Sequence, residues 1–218
     1  MKNQVIVIGL GRFGSSVARS LYNLGHDVLA IDINEERVHS MMGQVTHPVT
    51  GNATNEEMLQ ELGITEYDAA VVSIGNDLVA SVMTCVLLKT MNIRYIVARA
   101  HDELHLNTLE RLGVDKVIQA ESEMGTRVAH NLFNPNLQEY LELVPNYGFS
   151  KIKTPEKWGN KTLKELGFSG PRDKYGLAIL AIQHGSDITL NPDTNERLNT
   201  GDVLIIAGKD QLIENLTS

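Results

Sequence analysis

Cysteine, positive charge and long apolar runs are all scarce in this sequence, and each shortage excludes a class of protein. One cysteine in 218 residues rules out an internal disulfide and fits a reducing compartment. Cys85 stands in an apolar helical stretch, so buried filler is its expected role rather than nucleophile. The longest apolar stretch, residues 78–88, contains Ser81 and Thr84 and ends at Lys89, too short to span a bilayer. Met1-Lys2-Asn3-Gln4 leads directly into an apolar strand, so no secretory signal peptide is expected. Lys and Arg number 19 against 27 Asp and Glu, a net charge of −8, and the positive residues are scattered. Without a basic stripe, nucleic acid is not an expected partner. A chain of this kind acting on a membrane process is expected to do so from the cytoplasm, through a partner.

What is present is ordinary globular composition, 42% hydrophobic and 21% charged, long enough for one average domain and a smaller one. Residues 5–8, 28–31, 69–74, 95–98 and 116–118 read as strands, continuously apolar as buried parallel strands are. Between them the pattern predicts helices at about 13–24, 55–62, 77–91 and 104–112. In the first, Phe13, Val17, Leu21 and Leu24 share a face. Thr54-Asn55-Glu56-Glu57 reads as a capping box, and Gly63 and Gly113 as helix stops. A weaker strand at 46–50 carries Pro48, tolerable only at a sheet edge, which is where the third strand of a Rossmann order lies.

These alternations predict an α/β chain: a Rossmann-type doubly wound parallel sheet over 1–120, a helical linker, and a small α+β C-terminal domain. The linker, 121–146, reads as a helix-turn-helix, helical to about 132, broken at Asn134-Pro135, resuming over 137–143 and closed by Pro145-Asn146. From 147 to 218 the pattern changes to short strands at 149–152, 177–183, 188–190 and 203–207. His184-Gly185-Ser186-Asp187 forms a hairpin turn, a short helix spans 161–166, and a terminal helix starts at Asp210.

The chemistry concentrates at Gly9-Leu10-Gly11-Arg12-Phe13-Gly14, which leaves a strand and enters a helix. Gly9 permits the tight turn, Gly11 a close approach of backbone to a pyrophosphate, and Gly14 close helix packing. The helix N-terminus adds free amides and partial positive charge for phosphates. Asp32, at the end of the second strand, is placed to accept both hydroxyls of an adenosine ribose. It disfavours a 2′-phosphate, and with it NADP, but does not separate NAD from ATP or ADP. Arg12 bears on that choice, because a guanidinium inside the loop suits a chain of phosphates; a solvent-facing helix start is its plain alternative. Asn52, Ala53 and Thr54 border the expected adenine position. Gly75-Asn76 ends the fourth strand, and Arg99 ends the fifth, within reach of a terminal phosphate; loop and cap roles compete at these positions.

No catalytic apparatus accompanies the loop. None of the seven histidines falls in a recognisable catalytic motif, and neither a nucleophile elbow nor a Walker lysine is present. His101 and His105 could bind a metal from one helical face, but without further ligands a solvated helix start is the expected role. A small NAD-dependent oxidoreductase stays as the alternative that the glycine loop and Asp32 alone permit.

The ordered set of motifs resembles the RCK/KTN family, the cytoplasmic regulatory subunits of potassium channels and Trk/Ktr transporters. It comprises the run from Val7 to Gly14, Ala30-Ile31-Asp32-Ile33-Asn34-Glu35-Glu36, Gly51-Asn52-Ala53-Thr54, Leu112-Gly113-Val114-Asp115-Lys116-Val117-Ile118, Glu121-Ser122-Glu123-Met124-Gly125 and Tyr175-Gly176. The single Rossmann unit is similar to the Ktr type. That resemblance implies ATP and ADP as ligands, with Arg12 near the terminal phosphate and Ile33 and Asn34 beside Asp32. Trk-like members more often bind NAD or NADH, which keeps an NAD/NADH redox sensor open. It also implies that Glu121 helps hold a divalent or monovalent cation near the phosphates at a dimer interface. Implied partners are a membrane potassium-translocating subunit and further copies of the chain, paired through the linker and assembled as an octameric ring. Some members bind cyclic di-AMP between paired C-terminal domains, and Arg172 and His184 stand where that ligand would be met.

Overall fold

The computed structural model describes residues 2–132, 136–168 and 176–217. The chain divides into two compact units, Met1–Glu121 and Ser122–Ser218.

In the first unit, β1 (Gln4–Ile8), β2 (Asp27–Asp32), β3 (His47–Thr50), β4 (Ala69–Val72), β5 (Ile96–Arg99) and β6 (Lys116–Ile118) alternate with helices. The helices are α1 (Arg12–Asn23), α2 (Glu35–Ser40), α3 (Glu56–Glu61), α4 (Leu78–Thr90) and α5 (Glu103–Arg111). The strands form one parallel sheet in the order β3-β2-β1-β4-β5-β6. Successive residues feed opposite faces. Ile6, Ile8, Leu29, Ile31, Ala70 and Val72 pack with Leu59, Cys85, Leu88 and Leu109. Val5, Val7, Val28, Ala30 and Val71 pack with Ala18, Val38 and Met41. Two buried faces explain why the strands are apolar at every position. Pro48 lies on the edge strand β3, opposite Ala30, where its missing N–H leaves the sheet intact.

Several local expectations need correction. The short helix α2 has no counterpart in the sequence pattern, because Val38 is its one buried residue. The cap of α3 is Asn55, whose side chain accepts from Met58 N–H, while the Thr54 hydroxyl donates to Asn52 Oδ1 at 2.8 Å. His105 is not part of a solvated helix start, being 1% exposed. Its Nδ1 accepts from His101 N–H at 3.2 Å, and its Nε2 has no partner among the described residues. Cys85 is buried filler, its thiol pushed up to about 12 by desolvation.

Burial holds His105 below the ordinary histidine pKa; Asp102 opposes this and His101 adds to it. The fold therefore favours the neutral ring, whose Nδ1 lone pair is already engaged. Stability from this site is complete above about pH 6.5 and is lost as the pH falls through the lowered value. Melting temperatures measured from pH 8 to 5.5 should fall on acidification. His105→Gln should flatten that slope, and an unchanged slope would contradict the assignment.

In the second unit, β7 (Leu137–Val144), β8 (Tyr147–Lys153), β9 (Ala178–His184), β10 (Asp187–Leu190) and β11 (Val203–Lys209) form an antiparallel sheet ordered β10-β9-β11-β8-β7. The helices α7 (Leu163–Leu166) and α8 (Asp210–Thr217) accompany it. Ile152, Ile182, Leu198, Leu204 and Ile206 form its core. Trp158 meets Phe168 edge to face, with ring centroids 5.7 Å apart.

Residues 137–143 are therefore strand, not the second helix of a linker; only α6 (Ala120–Leu132) is helical there. The three-residue spacing of buried Leu137 and Tyr140 imitates a helix. A register shift between Leu137 and Glu139 produces it, since a bulge adds one residue and returns both side chains to one face. Pro145-Asn146 is the hairpin turn into β8, with Asn146 at φ 67°. Gly148 leaves room for the Tyr140 ring, whose hydroxyl donates to Asp210 Oδ1 at 2.9 Å. The expected break at Asn134-Pro135 lies outside the described residues. Among those described, no helix is long and apolar enough to cross a membrane.

Candidate functional site

Gly9 follows β1 with φ 91°. Its N–H donates to Ile31 O at 2.8 Å, and Ser73 N–H donates to Ile8 O at 2.7 Å. These bonds tie the loop between β2 and β4. A Cβ at Gly9 would stand 2.8 Å from the Ser73 carbonyl, and one at Gly14 would overlap the Gly9 carbonyl oxygen. Gly11 differs: it caps α1 in extended conformation, and a Cβ there would meet nothing within 4 Å. Two glycines thus close the packing and the third faces open space. The first helical bond runs from Ser15 N–H to Gly11 O, leaving the preceding amides outside the helical ladder.

Asp32 is buried, 5% exposed. Its Oδ2 accepts from Leu10 N–H at 2.6 Å and its Oδ1 from Asn34 N–H at 2.8 Å. A carboxylate offers about four acceptor positions, so capacity remains for ribose hydroxyls. Arg37, missed in the sequence, stands 3.5 Å from Asp32 Oδ2. The only signal for it was its position one turn into a helix capped by Asn34, which accepts from Arg37 N–H.

The remaining predicted residues separate by role. Arg12 is exposed at the start of α1, and no described residue forms an ion pair with it. Ile33 is 73% exposed beside Asp32. Leu10 and Ala53 are buried core residues and Phe13 is half-buried, so backbone is what Leu10 and Ala53 offer a ligand. Asn34 is committed to its cap, and Asn52 Oδ1 to Thr54. Asn76 is exposed after Gly75. The Arg99 guanidinium lies over Gly75, where a Cβ would come within 2.7 Å of Nη1.

Arg99 also holds Glu121, with Nε 3.4 Å from Oε2 and Nη2 in close contact with Oε1. Desolvation raises the Glu121 carboxyl, but the Arg99 hydrogen bond and charge outweigh it and leave the group below its usual range. The described residues contain no group of three or more His, Cys, Asp or Glu able to hold a metal. Among the described residues one chain brings a single, already paired carboxylate to the expected cation position, and the His105 Nδ1 is engaged by the His101 N–H. In the second unit, His184 Nδ1 lies 2.7 Å from Asp202 Oδ2, and Arg172 lies outside the described residues.

The open Gly11, the anchored Asp32 and the helix amides converge at the carboxyl ends of β1, β2 and β4. The strand order reverses there, where open α/β sheets take their ligands. The class defined is a Rossmann-type domain with a glycine-loop cleft at its switch point, joined to a separate small antiparallel-sheet domain. Family models agree with it: residues 5–120 match the TrkA-N domain and 150–218 the TrkA-C domain. The chain is 39% identical over 94% of its length to Ktr system potassium uptake protein A of Bacillus subtilis (strain 168), covering 91% of that protein. Ktr system potassium uptake protein C of the same organism is 34% identical, with 95% and 93% covered. Among solved structures the GsuK channel matches with a TM-score of 0.67 at 18% identity; 99% of this chain covers 39% of that one. The chain belongs to the TrkA-N/TrkA-C family that includes the Ktr potassium uptake proteins.

Proposed function

We propose that this chain is a cytoplasmic regulatory subunit that binds ATP and ADP in the glycine-loop cleft and gates a membrane potassium-translocating partner. The observation that carries the ligand assignment is the pairing of an open Gly11 with an Arg12 that has no carboxylate partner among the described residues. A guanidinium at a helix start, beside free amides, is suited to a polyphosphate. The potassium partner rests on family membership and on the Ktr relatives, whose lengths this chain nearly covers. Control follows from differential affinity, since a ligand shifts a conformational equilibrium only by binding one state better. ATP and ADP differ at the terminal phosphate, where Arg12 and Arg99 are the available cations. Pairing of chains through α6 and closure into a ring would pass that difference to the gate. A cation at Glu121 would need phosphate oxygens and a second chain to complete its ligands.

Calorimetry with ATP, ADP, NAD and NADH tests this reading, with Arg12→Ala as the variant. ATP and ADP should bind, and ATP should lose roughly tenfold or more in the variant, the scale of a charge-assisted contact. A preference for NAD or NADH that ignores Arg12 would replace the ATP/ADP sensor by a redox sensor, or by an oxidoreductase if turnover follows.

A further inference from the structure

We propose that Glu121 is a specificity determinant of the nucleotide site: it occupies the Arg99 guanidinium until an anionic group of the ligand takes its place. The proposal rests on the nucleotide reading above and adds a residue that selects for phosphate. Arg99 closes β5, next to β4, and its Nη1 covers the backbone of Gly75 at the edge of the cleft. Its Nε and Nη2 are turned to the Glu121 carboxylate. One guanidinium thus spans the cleft edge and the first turn of α6.

The pair is asymmetric. The Arg99 side chain is 17% exposed and the Glu121 side chain 65%. Glu121 can return to water at little cost, and its carboxylate stays favourable in the first turn of a helix. Arg99 cannot be left without an anion so cheaply, because a largely buried cation needs a partner. The ion pair therefore opens by exchange rather than by simple loss. A phosphate carries more charge than a carboxylate and matches the guanidinium fork equally well. Adenosine offers no anion and leaves the pair closed. ADP and ATP each offer one, so the discrimination falls between nucleoside and nucleotide and grows with charge near Gly75. Opening also frees the start of α6, the helix by which the chain leaves the first unit.

The test is calorimetry in EDTA, which removes metal effects, with ATP, ADP and adenosine as competing ligands. Wild type is compared with Glu121→Gln, Arg99→Gln and the double variant. Glu121→Gln should tighten ATP and ADP about two- to fivefold, the scale of a partly exposed ion pair, and leave adenosine unchanged. Arg99→Gln should weaken ATP about tenfold or more, and the double variant should match it, because Glu121 acts through Arg99. In the wild type, hydrogen exchange in the first turn of α6 should quicken when ATP binds. Unchanged or weaker ATP binding by Glu121→Gln, or an equal gain for adenosine, overturns the proposal while leaving the nucleotide reading standing. Failure of the wild-type chain to bind any of the three overturns both.

Discussion

Gly14→Ala is expected to lower the melting temperature of the first unit by roughly 5–10 °C and to remove measurable ATP binding. The added methyl would overlap the Gly9 carbonyl oxygen and lie 3.1 Å from the Ser73 Cβ. Neither neighbour can yield, since Gly9 is held by its bond to Ile31 O and Ser73 by its bond to Ile8 O. Helix α1 must therefore lift from a sheet against which Gly14 and Ala18 are buried. Overpacking of this kind costs about 1–3 kcal/mol and occasionally more. The better helix propensity of alanine returns about 1 kcal/mol. Lifting would also move the helix amides proposed to bind the phosphates. Gly11→Ala is the matched control. Its Cβ would meet no protein atom within 4 Å and its φ of −66° suits alanine, so the fold should lose at most about 1 kcal/mol of capping. Binding should still collapse, because the methyl would enter the space left for ligand. Thermal melts and calorimetry on both variants check this. Equal destabilisation of the two would mean that Gly11 is a packing glycine like Gly14.

The contrast between these glycines also shows what was legible before the structure. The packing roles of Gly9 and Gly14, the strand order and the edge position of Pro48 follow from backbone requirements that leave a direct mark in the sequence. Pairings between residues distant along the chain leave none. Arg99 was read as a phosphate contact and Glu121 as a cation ligand, and the structure also pairs them with one another. Arg37 went unnoticed because its one signal, a place in the first turn after Asn34, depends on a helix too short to show in the apolar pattern. The strand at 137–144 was hidden by a bulge, which replaced the two-residue period by three. Helix α2 was hidden by its shortness, since its order comes from Asn34 and Asp32 rather than from an apolar stripe. His105 was misjudged because acidic neighbours made its surroundings look solvated, whereas Asp102 is the helix cap and the ring points inward.

Asp32→Ala is expected to weaken ATP by roughly a hundredfold, through two separable losses. The first is structural. Leu10 N–H and Asn34 N–H lose their acceptor, and Leu10 is 4% exposed, so its amide cannot turn to water. Hydrogen bonds to charged groups are worth about 1.5–3 kcal/mol each, and the glycine loop loses the bond that fixes it to β2. The second loss is the ribose contact. Comparing ATP with 2′-deoxyATP separates them: wild type should prefer the ribonucleotide about tenfold, and Asp32→Ala should bind both equally. A variant that weakens both ligands and keeps the preference would reduce Asp32 to a loop anchor. Arg37 adds a result of opposite sign. Its guanidinium is half exposed beside Asp32 and loses that partner when the carboxylate is removed. A 2′-phosphate, which the Asp32 carboxylate would repel, would then find the unpaired Arg37 guanidinium in its place. The substitution that costs ATP its affinity should therefore raise that of NADP relative to NAD, a reversal that loss of folding alone would not produce.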